Sequence, residues 1–183
     1  MIFNEEQRLI QDTARQYVAE KITPFAAEWD RDKTFPRGAL AGLAKLGFYG
    51  MLVPEQWGGC DIGYTSAAIV LEEIAAGDAA CSTIISVTNS GGCMPIYQFG
   101  DEWQKNEFLR PLASGEKLGA FCLTEPQAGS DAAQLKTKAV LDGNDYVLNG
   151  TKQFIKSGKN ADIAIVFAVT YHAAGHVGMS QVT

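Results

Sequence analysis

The hydrophobic periodicity of this chain changes once, near residue 116, and that change constrains the fold more than any other feature. Before it, apolar residues recur at helical spacing; after it, short apolar runs are separated by turn residues, as in β-strands. Just past the change, Ala120–Thr124 is predicted to be a buried strand that enters an abrupt turn containing Pro126 and Gly129. A strand ending in such a turn, with a hydroxyl and a carboxylate at its lip, suits binding a polar ligand better than filling a core.

The first 115 residues carry repeated start and stop signals for helices. Asn4 with Gln7, and Asp101 with Gln104, have the spacing of capping boxes, and proline favours the first position of a helix. Helices are therefore predicted to begin near Asn4, Pro24, Pro36, Thr65, Asp78 and Asp101. Their ends are predicted at glycines, namely Gly47, Gly77, Gly91-Gly92 and Gly115. The segment between the third and fourth helices, Phe48–Gly63, is predicted to be a packed loop, and the last helix is expected to turn inward Trp103, Phe108, Leu109 and Leu112.

The remaining residues are patterned as strands. The predicted strands are Ala120–Thr124, Lys136–Leu141, Tyr146–Leu148, Gln153–Ile155 and Ala161–Thr170. Asn149-Gly150 is a strong hairpin signal between the third and fourth of them. The fold class is therefore expected to be α+β: an all-α helical domain, residues 1–115, followed by an incomplete antiparallel β-barrel-like domain, residues 116–183. Because the weakly patterned tail 171–183 leaves a sheet edge uncovered, more chain is expected after it.

Composition excludes several classes of partner. The net charge is −6 and there is no basic run, which argues against nucleic acid and anionic membranes as partners. No apolar segment approaches the length of a membrane span, and a helix signal at the amino terminus leaves no visible signal peptide. The four cysteines form no CxxC pair, so they are predicted to be buried thiols in a reducing compartment rather than a disulfide framework.

Several motifs are better explained without a site. His172 and His176 lack a third ligand and lie among glycines, so solvated loop histidines are expected there rather than a metal. Asn149-Gly150-Thr151 fits a glycosylation triplet, but no secretory signal is visible, so the predicted hairpin turn is the preferred explanation. The run Gly58–Gly63 has phosphate-loop spacing, but Tyr64 stands where lysine is required. No GxGxxG occurs, so a Rossmann-type nucleotide site is unsupported.

The turn after Thr124 is the remaining candidate. Glu125 and Asp131 form at most a weak acid–base pair, and roles within the turn are commoner for such residues. Ser130 follows a glycine, and freed amides surround it, so its hydroxyl is placed to donate to a phosphate or a carbonyl. From these residues alone, a ligand contact at Ser130 and an ordinary turn serine both remain open.

The order of these pieces resembles the acyl-CoA dehydrogenase family. The most specific match is Cys122–Asp131, followed by Leu148–Lys152 and Phe154–Gly158; in the helical half, Leu46–Gly50 also matches. Members acting on short or branched acyl groups are the most similar. The resemblance implies FAD-dependent α,β-dehydrogenation of an acyl-CoA to its 2,3-enoyl form, as in fatty acid β-oxidation or branched-chain amino acid catabolism.

The resemblance also implies a set of cofactor-binding positions. Leu123, through its backbone, and Thr124, through its hydroxyl, match donors to the edge of the flavin where negative charge develops on reduction. Ser130 matches a residue that meets the phosphate of the cofactor and lies near the bound acyl-CoA, so it is also a candidate substrate contact. The full implied set is Phe121, Leu123, Thr124, Ser130, Phe154, Ile155 and Lys156, with Gly92–Ile96 bordering the acyl cavity. Three features depart from the usual pattern: Lys156 replaces a threonine or serine, Gln127, beside the set, replaces a glycine, and the tail from Tyr171 differs from the pattern expected of the next strand.

The resemblance covers only the amino-terminal and middle domains of the family. The catalytic glutamate of the family belongs to a carboxy-terminal helical domain, expected to be absent here, so no catalytic residue and no metal ligand is assigned. The family implies electron-transfer flavoprotein as the electron acceptor, a homo-oligomer such as a tetramer, and a cytoplasmic location, or the mitochondrial matrix in a eukaryote. Two alternatives stay open: a non-catalytic binding or interaction module that kept the fold, and an acyl-CoA oxidase of the same superfamily.

Overall fold

The computed structural model describes residues 3–170 and 179–182 of the chain. It divides into two compact units, Met1–Lys117 and Leu118–Thr183. The first unit is helical and the second contains a sheet, which confirms the α+β class expected from the change in periodicity.

The first unit contains eight described α-helices. Their bounds are α1 Glu5–Lys21, α2 Ala26–Asp32, α3 Arg37–Lys45, α4 Gly63–Gly77, α5 Ala79–Val87, α6 Met94–Phe99, α7 Glu102–Gln104 and α8 Arg110–Ala113. A 3₁₀ turn spans Glu55–Trp57, and π-helical segments span Thr88–Cys93 and Lys105–Leu109. Helix α4 packs between α1 and α5. The core is made of fully buried aliphatic side chains, among them Ile22, Leu43, Met51, Ile74, Ile85 and Leu112.

Both predicted capping boxes are confirmed. At α1, the backbone N–H of Gln7 donates to Asn4 Oδ1 at 2.8 Å, and Asn4 N–H donates to Gln7 Oε1 at 3.1 Å. At α7, Asp101 and Gln104 exchange the equivalent bonds at 2.8 and 3.0 Å. Each box gives partners to helix-terminal amides that the helix itself leaves unpaired.

Two predictions in the helical unit are wrong in detail. Helix α2 begins at Ala26 rather than at Pro24, because a turn first carries the chain past an exposed Phe25. Trp103 is 64% exposed rather than inward, and it meets Phe108 edge-on at 5.5 Å between ring centroids. A short helix of three residues followed by a π-helical segment rotates the inward face away from position 103.

Gly91-Gly92 does not end a helix. The chain continues from α5 through the π-helical segment Thr88–Cys93 into α6. Pro95 has no N–H to donate to the carbonyl four residues earlier, so a regular α-helix loses a bond here. The buried Asn89 side chain adds bonds of its own: it accepts from the Met51 N–H at 2.8 Å and donates to the Phe48 carbonyl at 2.9 Å. The helix thereby widens instead of stopping, and Asn89 ties it to the packed loop.

The sheet of the second unit is mixed, not antiparallel as predicted. Its strands are β1 Gly119–Cys122, β2 Lys138–Asp142, β3 Asp145–Asn149, β4 Ile163–Val169 and β5 Met179–Val182, in the order β1-β4-β2-β3 with β5 also on β4. The pairs β2–β3 and β4–β5 are antiparallel, whereas β4 runs parallel to β1 and β2. The parallel pairing follows because residues 150–162 carry the chain back across the sheet, so that β4 begins beside β1.

Three strand predictions are wrong for related reasons. Gln153–Ile155 is not a strand but part of the irregular crossing 150–162, since Phe154 has φ 58 and so leaves the β region. Asn149-Gly150 closes no hairpin; the hairpin turn is between β2 and β3, at Gly143 with φ 64, where the sequence Asp142-Gly-Asn-Asp145 also predicts a turn. No strand is predicted after Thr170, but the tail contains β5, which pairs with β4.

The β2–β3 hairpin is largely exposed. All five residues of β3 are exposed, as are four of the five in β2. The exposed side chains include large apolar ones, namely Val140, Leu141, Tyr146, Val147 and Leu148. The apolar core of this unit instead lies around β4, where Ile165 and Ala168 are fully buried.

The cysteines are buried thiols, as predicted, with one exception. Cys81, Cys93 and Cys122 are buried and Cys60 is half-buried, and none of the four forms a disulfide. Burial raises the pKa of Cys93 to about 12. In the part of the chain that the structure describes, no helix meets the length and apolarity that crossing a bilayer requires. That part also holds no group of three potential metal-ligating side chains, and His172 and His176 lie outside it.

Candidate functional site

The candidate site is built at the carboxyl end of β1. Cys122 is the last residue of β1 that pairs with β4, so Leu123 and Thr124 extend beyond the ladder. Both are half-buried. Just before them, the half-buried Phe121 ring packs edge-on against Phe167 of β4, at 5.1 Å between centroids. Leu123 and Thr124 therefore follow the paired part of the strand without taking part in its ladder.

The turn that follows is a tight two-residue reversal. Glu125 N–H donates to the Ala128 carbonyl at 2.9 Å, and Ala128 N–H donates back at 3.1 Å. Pro126 and Gln127 form its tip, and Gln127 keeps a negative φ, so this turn does not require glycine there. The Gln127 side chain instead donates to Glu125 Oε2 at 2.6 Å. Ser130 lies beyond the turn and is exposed, in keeping with either of the roles left open for it.

Glu125 is the centre of the turn rather than half of an acid–base pair. Its carboxylate is buried, with the residue 4% exposed, while Asp131 is exposed. It accepts from the backbone N–H groups of Lys136 and Thr137 at 2.7 and 3.0 Å. It also accepts from Lys152 Nζ at 2.8 Å. Burial raises the pKa of this carboxyl, but these hydrogen bonds outweigh burial and lower it to about 2.

Lys152 joins the turn to the end of β1. Its ammonium donates to Glu125 Oε1 at 2.8 Å and to the Leu123 carbonyl at 2.9 Å, and its side chain is only 11% exposed. The next residue, Gln153, donates its backbone N–H to the Thr124 carbonyl at 2.9 Å. Three consecutive residues of the strand end, 123–125, are therefore held by two consecutive residues of the crossing loop.

The loop beyond Gln153 presents an aromatic ring to solvent. Phe154 is 85% exposed and has φ 58, and Ser157 has φ 60. A positive φ is unfavourable for a bulky residue, and full exposure gives the ring no packing in return. Ile155 is half-buried and Lys156 is exposed. An exposed, conformationally strained phenyl ring at the end of a hydrogen-bonded loop is typical of a surface that a planar ligand covers.

Two of the predicted segments therefore meet, and the residues that join them were missed. The crossing loop that carries Phe154, Ile155 and Lys156 is bonded to Leu123 and Thr124 through Lys152 and Gln153. Sequence reasoning assigned no role to Lys152, although it lies in a matched motif, because its partners are 27 and 29 residues away. The available signal was Glu125, which directly follows an apolar strand. A carboxylate buried at such a position requires a cation or several donors, and Lys152 is one of them.

Two family models match the chain. Residues 4–116 match the model of the acyl-CoA dehydrogenase N-terminal domain, and residues 120–183 match that of the middle domain. Isobutyryl-CoA dehydrogenase, mitochondrial, of Dictyostelium discoideum is 40% identical over 177 residues, which cover 96% of this chain and 42% of that protein.

Two solved structures show the same fold. Butyryl-CoA dehydrogenase from Megasphaera elsdenii aligns with a TM-score of 0.91 at 38% identity, over 99% of this chain and 49% of that one. An acyl-CoA dehydrogenase complexed with FAD from Bacillus anthracis aligns with a TM-score of 0.85 at 34% identity, over 92% and 29% respectively. The chain spans about half the length of the curated relatives it matches, or slightly less.

Proposed function

Since the chain belongs to the acyl-CoA dehydrogenase family, we propose that it forms one wall of an FAD site and part of an acyl-CoA cavity. The reaction is the oxidation of a short or branched acyl-CoA to its 2,3-enoyl form. The observation that carries this proposal is the junction of the strand end, residues 123–125, with the loop that presents Phe154. That junction joins, through hydrogen bonds, the two segments to which the resemblance assigns cofactor-binding positions.

The described side chains fit a flavin. The isoalloxazine is a planar ring system with a polar edge, and an exposed phenyl ring with neighbouring hydroxyl and amide donors suits both parts. We assign the ring contact to Phe154 and the polar edge to the Thr124 hydroxyl and the Leu123 backbone. Phe121 and Ile155 complete the apolar side. When bound, FAD supplies the acceptor for the hydride that leaves the β-carbon.

In this proposal the residues of this chain orient the flavin and line its site, and they transfer no proton. Donors fixed at the polar edge favour the reduced state, in which that edge becomes negative. Ser130 contacts the phosphate and borders the acyl-CoA. Lys156 is exposed and brings a cation where the family usually has a hydroxyl, so it adds positive charge to the same side of the site. The α-proton is removed by a base that we do not assign to any residue of this chain.

The 183-residue chain is therefore expected to bind FAD weakly and not to turn over acyl-CoA. Titration of the purified chain with FAD, followed by visible circular dichroism, measures the first property. Failure to develop an induced flavin signal at any FAD concentration would rule out the FAD wall. Butyryl-CoA and isobutyryl-CoA, tested with an artificial electron acceptor, measure the second. Detectable enoyl-CoA formation would show that the catalytic base is present after all.

The other family properties complete the proposal. Electron-transfer flavoprotein is the proposed acceptor, the proposed assembly is a homo-oligomer, and the proposed location is the cytoplasm or the mitochondrial matrix. Reduction of added electron-transfer flavoprotein by the complete enzyme tests the acceptor, and sedimentation of that enzyme tests the assembly.

A non-catalytic binding module is the second candidate. It is favoured by one observation, Lys156 in place of the family's hydroxyl residue. A variant with Lys156→Thr separates the two readings within the FAD titration. If the site is that of an enzyme, the Lys156→Thr variant should bind FAD at least as tightly as the unchanged chain. If the chain is a module adapted to lysine, the variant should bind FAD more weakly.

A further inference from the structure

The strand end and the crossing loop are held together by a single buried ammonium and one backbone bond. We propose that Lys152 is a positioning residue for the flavin: by bonding the Leu123 carbonyl and Glu125 together, it sets the place of the strand end relative to Phe154. This inference rests on the proposed FAD site and adds to it a residue that touches neither the flavin nor the substrate.

The contacts of Lys152 are divided between two different backbone elements. One bond, at 2.9 Å, goes to the carbonyl of Leu123, which lies beyond the paired part of β1. The other, at 2.8 Å, goes to a carboxylate that anchors the turn. The Lys152 and Glu125 side chains are 11% and 2% exposed, so both are largely shielded from water. A single nitrogen of the crossing loop is thus bonded at two points to the segment 123–125, which fixes the loop relative to that segment.

Stability alone does not explain this arrangement. A buried ion pair is seldom more stabilising than a well-packed apolar pair of the same size. Glu125 already accepts from two backbone N–H groups and from Gln127, so its carboxylate does not depend on lysine alone. The bond to the Leu123 carbonyl contributes nothing to that carboxylate. The consequence of this bond is geometric, because it fixes the position of Leu123, whose backbone we assign to the flavin.

The loop on the other side of Lys152 requires such an anchor. Phe154 is two residues further on, with φ 58, a conformation that persists only where the surrounding structure imposes it. On its amino-terminal side the loop is held by Lys152 and Gln153. On its carboxy-terminal side, the Asp162 N–H donates to the Leu118 carbonyl at 2.8 Å, and the Asp162 carboxylate accepts from the Leu118 N–H at 2.9 Å. The strained ring is therefore fixed between two bonded ends, one of which also fixes Leu123 and Thr124.

A change at Lys152 is expected to move the polar and the apolar contacts of the flavin relative to each other. Contacts that must be held to a fraction of an ångström depend on such supporting bonds. The effect should be visible in the environment of the bound flavin even when the chain is fully folded.

Four variants of the 183-residue chain test this, with FAD as the probe. Lys152→Met removes the ammonium and keeps the length of the side chain. The double variant Glu125→Gln with Lys152→Met also removes the buried charge that the first leaves unpaired. Lys152→Arg restores a cation with several donors. Lys159→Met is the matched control, since Lys159 is an exposed lysine of the same loop.

Three quantities are measured for each variant: folded structure by far-ultraviolet circular dichroism, the FAD dissociation constant, and the visible circular dichroism of FAD at saturation. We expect the folded double variant to bind FAD about tenfold or more weakly, a loss of about 1.4 kcal/mol or more, with an altered spectrum at saturation. Lys152→Arg should recover part of the affinity, and Lys159→Met should match the unchanged chain in all three. A merely structural residue would not alter the spectrum of the saturated, folded protein.

The outcomes separate this inference from the proposed function. A folded double variant with the affinity and spectrum of the unchanged chain overturns the positioning role and leaves the FAD site standing. A double variant that no longer folds also overturns it, because the pair is then needed for folding itself. If the unchanged chain gives no flavin signal, both the FAD site and the positioning role are overturned.

Discussion

The strongest quantitative prediction concerns the response of the second unit to acid. Glu125 is buried among hydrogen-bond donors, and its pKa is lowered from 4.5 to about 2. A carboxyl whose pKa is lower in the folded than in the unfolded state stabilises the fold above its unfolded pKa, and the contribution is lost as pH falls through the folded value. The loss therefore falls between about pH 4.5 and pH 2, and the shift corresponds to about 3 kcal/mol.

The perturbation is Glu125→Gln, which removes the titrating group and keeps its shape. Near neutral pH this variant leaves the buried Lys152 ammonium without its counter-charge, at a cost of about 3–5 kcal/mol. The free energy that corresponds to the pKa shift and the cost of leaving Lys152 without its counter-charge are therefore similar in size. The difference in unfolding free energy between the unchanged chain and the variant should be at its maximum at about pH 6. It should decrease toward zero near pH 2.

The assay must follow the second unit by itself. All three tryptophans, Trp29, Trp57 and Trp103, lie in the first unit, so tryptophan fluorescence reports on the helical unit and serves as an internal control. Hydrogen exchange at the amides of Lys136 and Thr137, both bonded to Glu125, follows the second unit in native conditions. A free-energy difference between the two proteins that stays constant across this pH range would refute the reasoning, as would a carboxyl titration of Glu125 with an ordinary pKa.

Three further predictions follow from single residues. Phe154→Gly relieves a positive φ and should stabilise the second unit by about 1 kcal/mol in hydrogen exchange while weakening FAD binding; a loss of stability would show that the ring has packing in the free chain. Gly150→Ala forces a methyl group against Thr137 and should cost about 1–3 kcal/mol, whereas Gly129→Ala, with open space around it, should be near neutral; equal effects in denaturant unfolding would contradict this. Asn89→Ala removes a buried side chain that accepts from Met51 and donates to Phe48. It should destabilise the helical unit by about 2–4 kcal/mol, as measured by tryptophan fluorescence during denaturant unfolding. A loss below about 1 kcal/mol would mean that water replaces these bonds.

The features predicted correctly from the sequence are those determined by neighbouring residues. A capping box is complete within four residues, so Asn4 and Asp101 could be identified without knowledge of the fold. The division into helical and sheet units followed from periodicity for the same reason. The end of β1 was recognised because the apolar run and the turn residues after it are contiguous.

The errors arose where distant residues decide the local structure. The direction of β1 against β4 depends on a pairing 44 residues apart, as between Leu118 and Asp162, and no local pattern specifies it. Gln153–Ile155 contains Phe154 and Ile155, residue types favoured in strands, but the bonds of Lys152 and Gln153 to the end of β1 turn the loop away from the sheet. Lys152 itself has no local signal, because both its acceptors lie more than 25 residues earlier in the chain.

The parallel pairing of β1 also sets an order of events during synthesis. β1 leaves the ribosome first, but among the described strands its only partner is β4, which begins 44 residues later. At a translation rate of about 5–20 residues per second, the wait is a few seconds. The β2–β3 hairpin, which closes on a microsecond scale, forms meanwhile. The apolar strand that ends in the candidate site is thus the first of the sheet to be made and remains unpaired until β4 emerges, exposed to chaperones for that time.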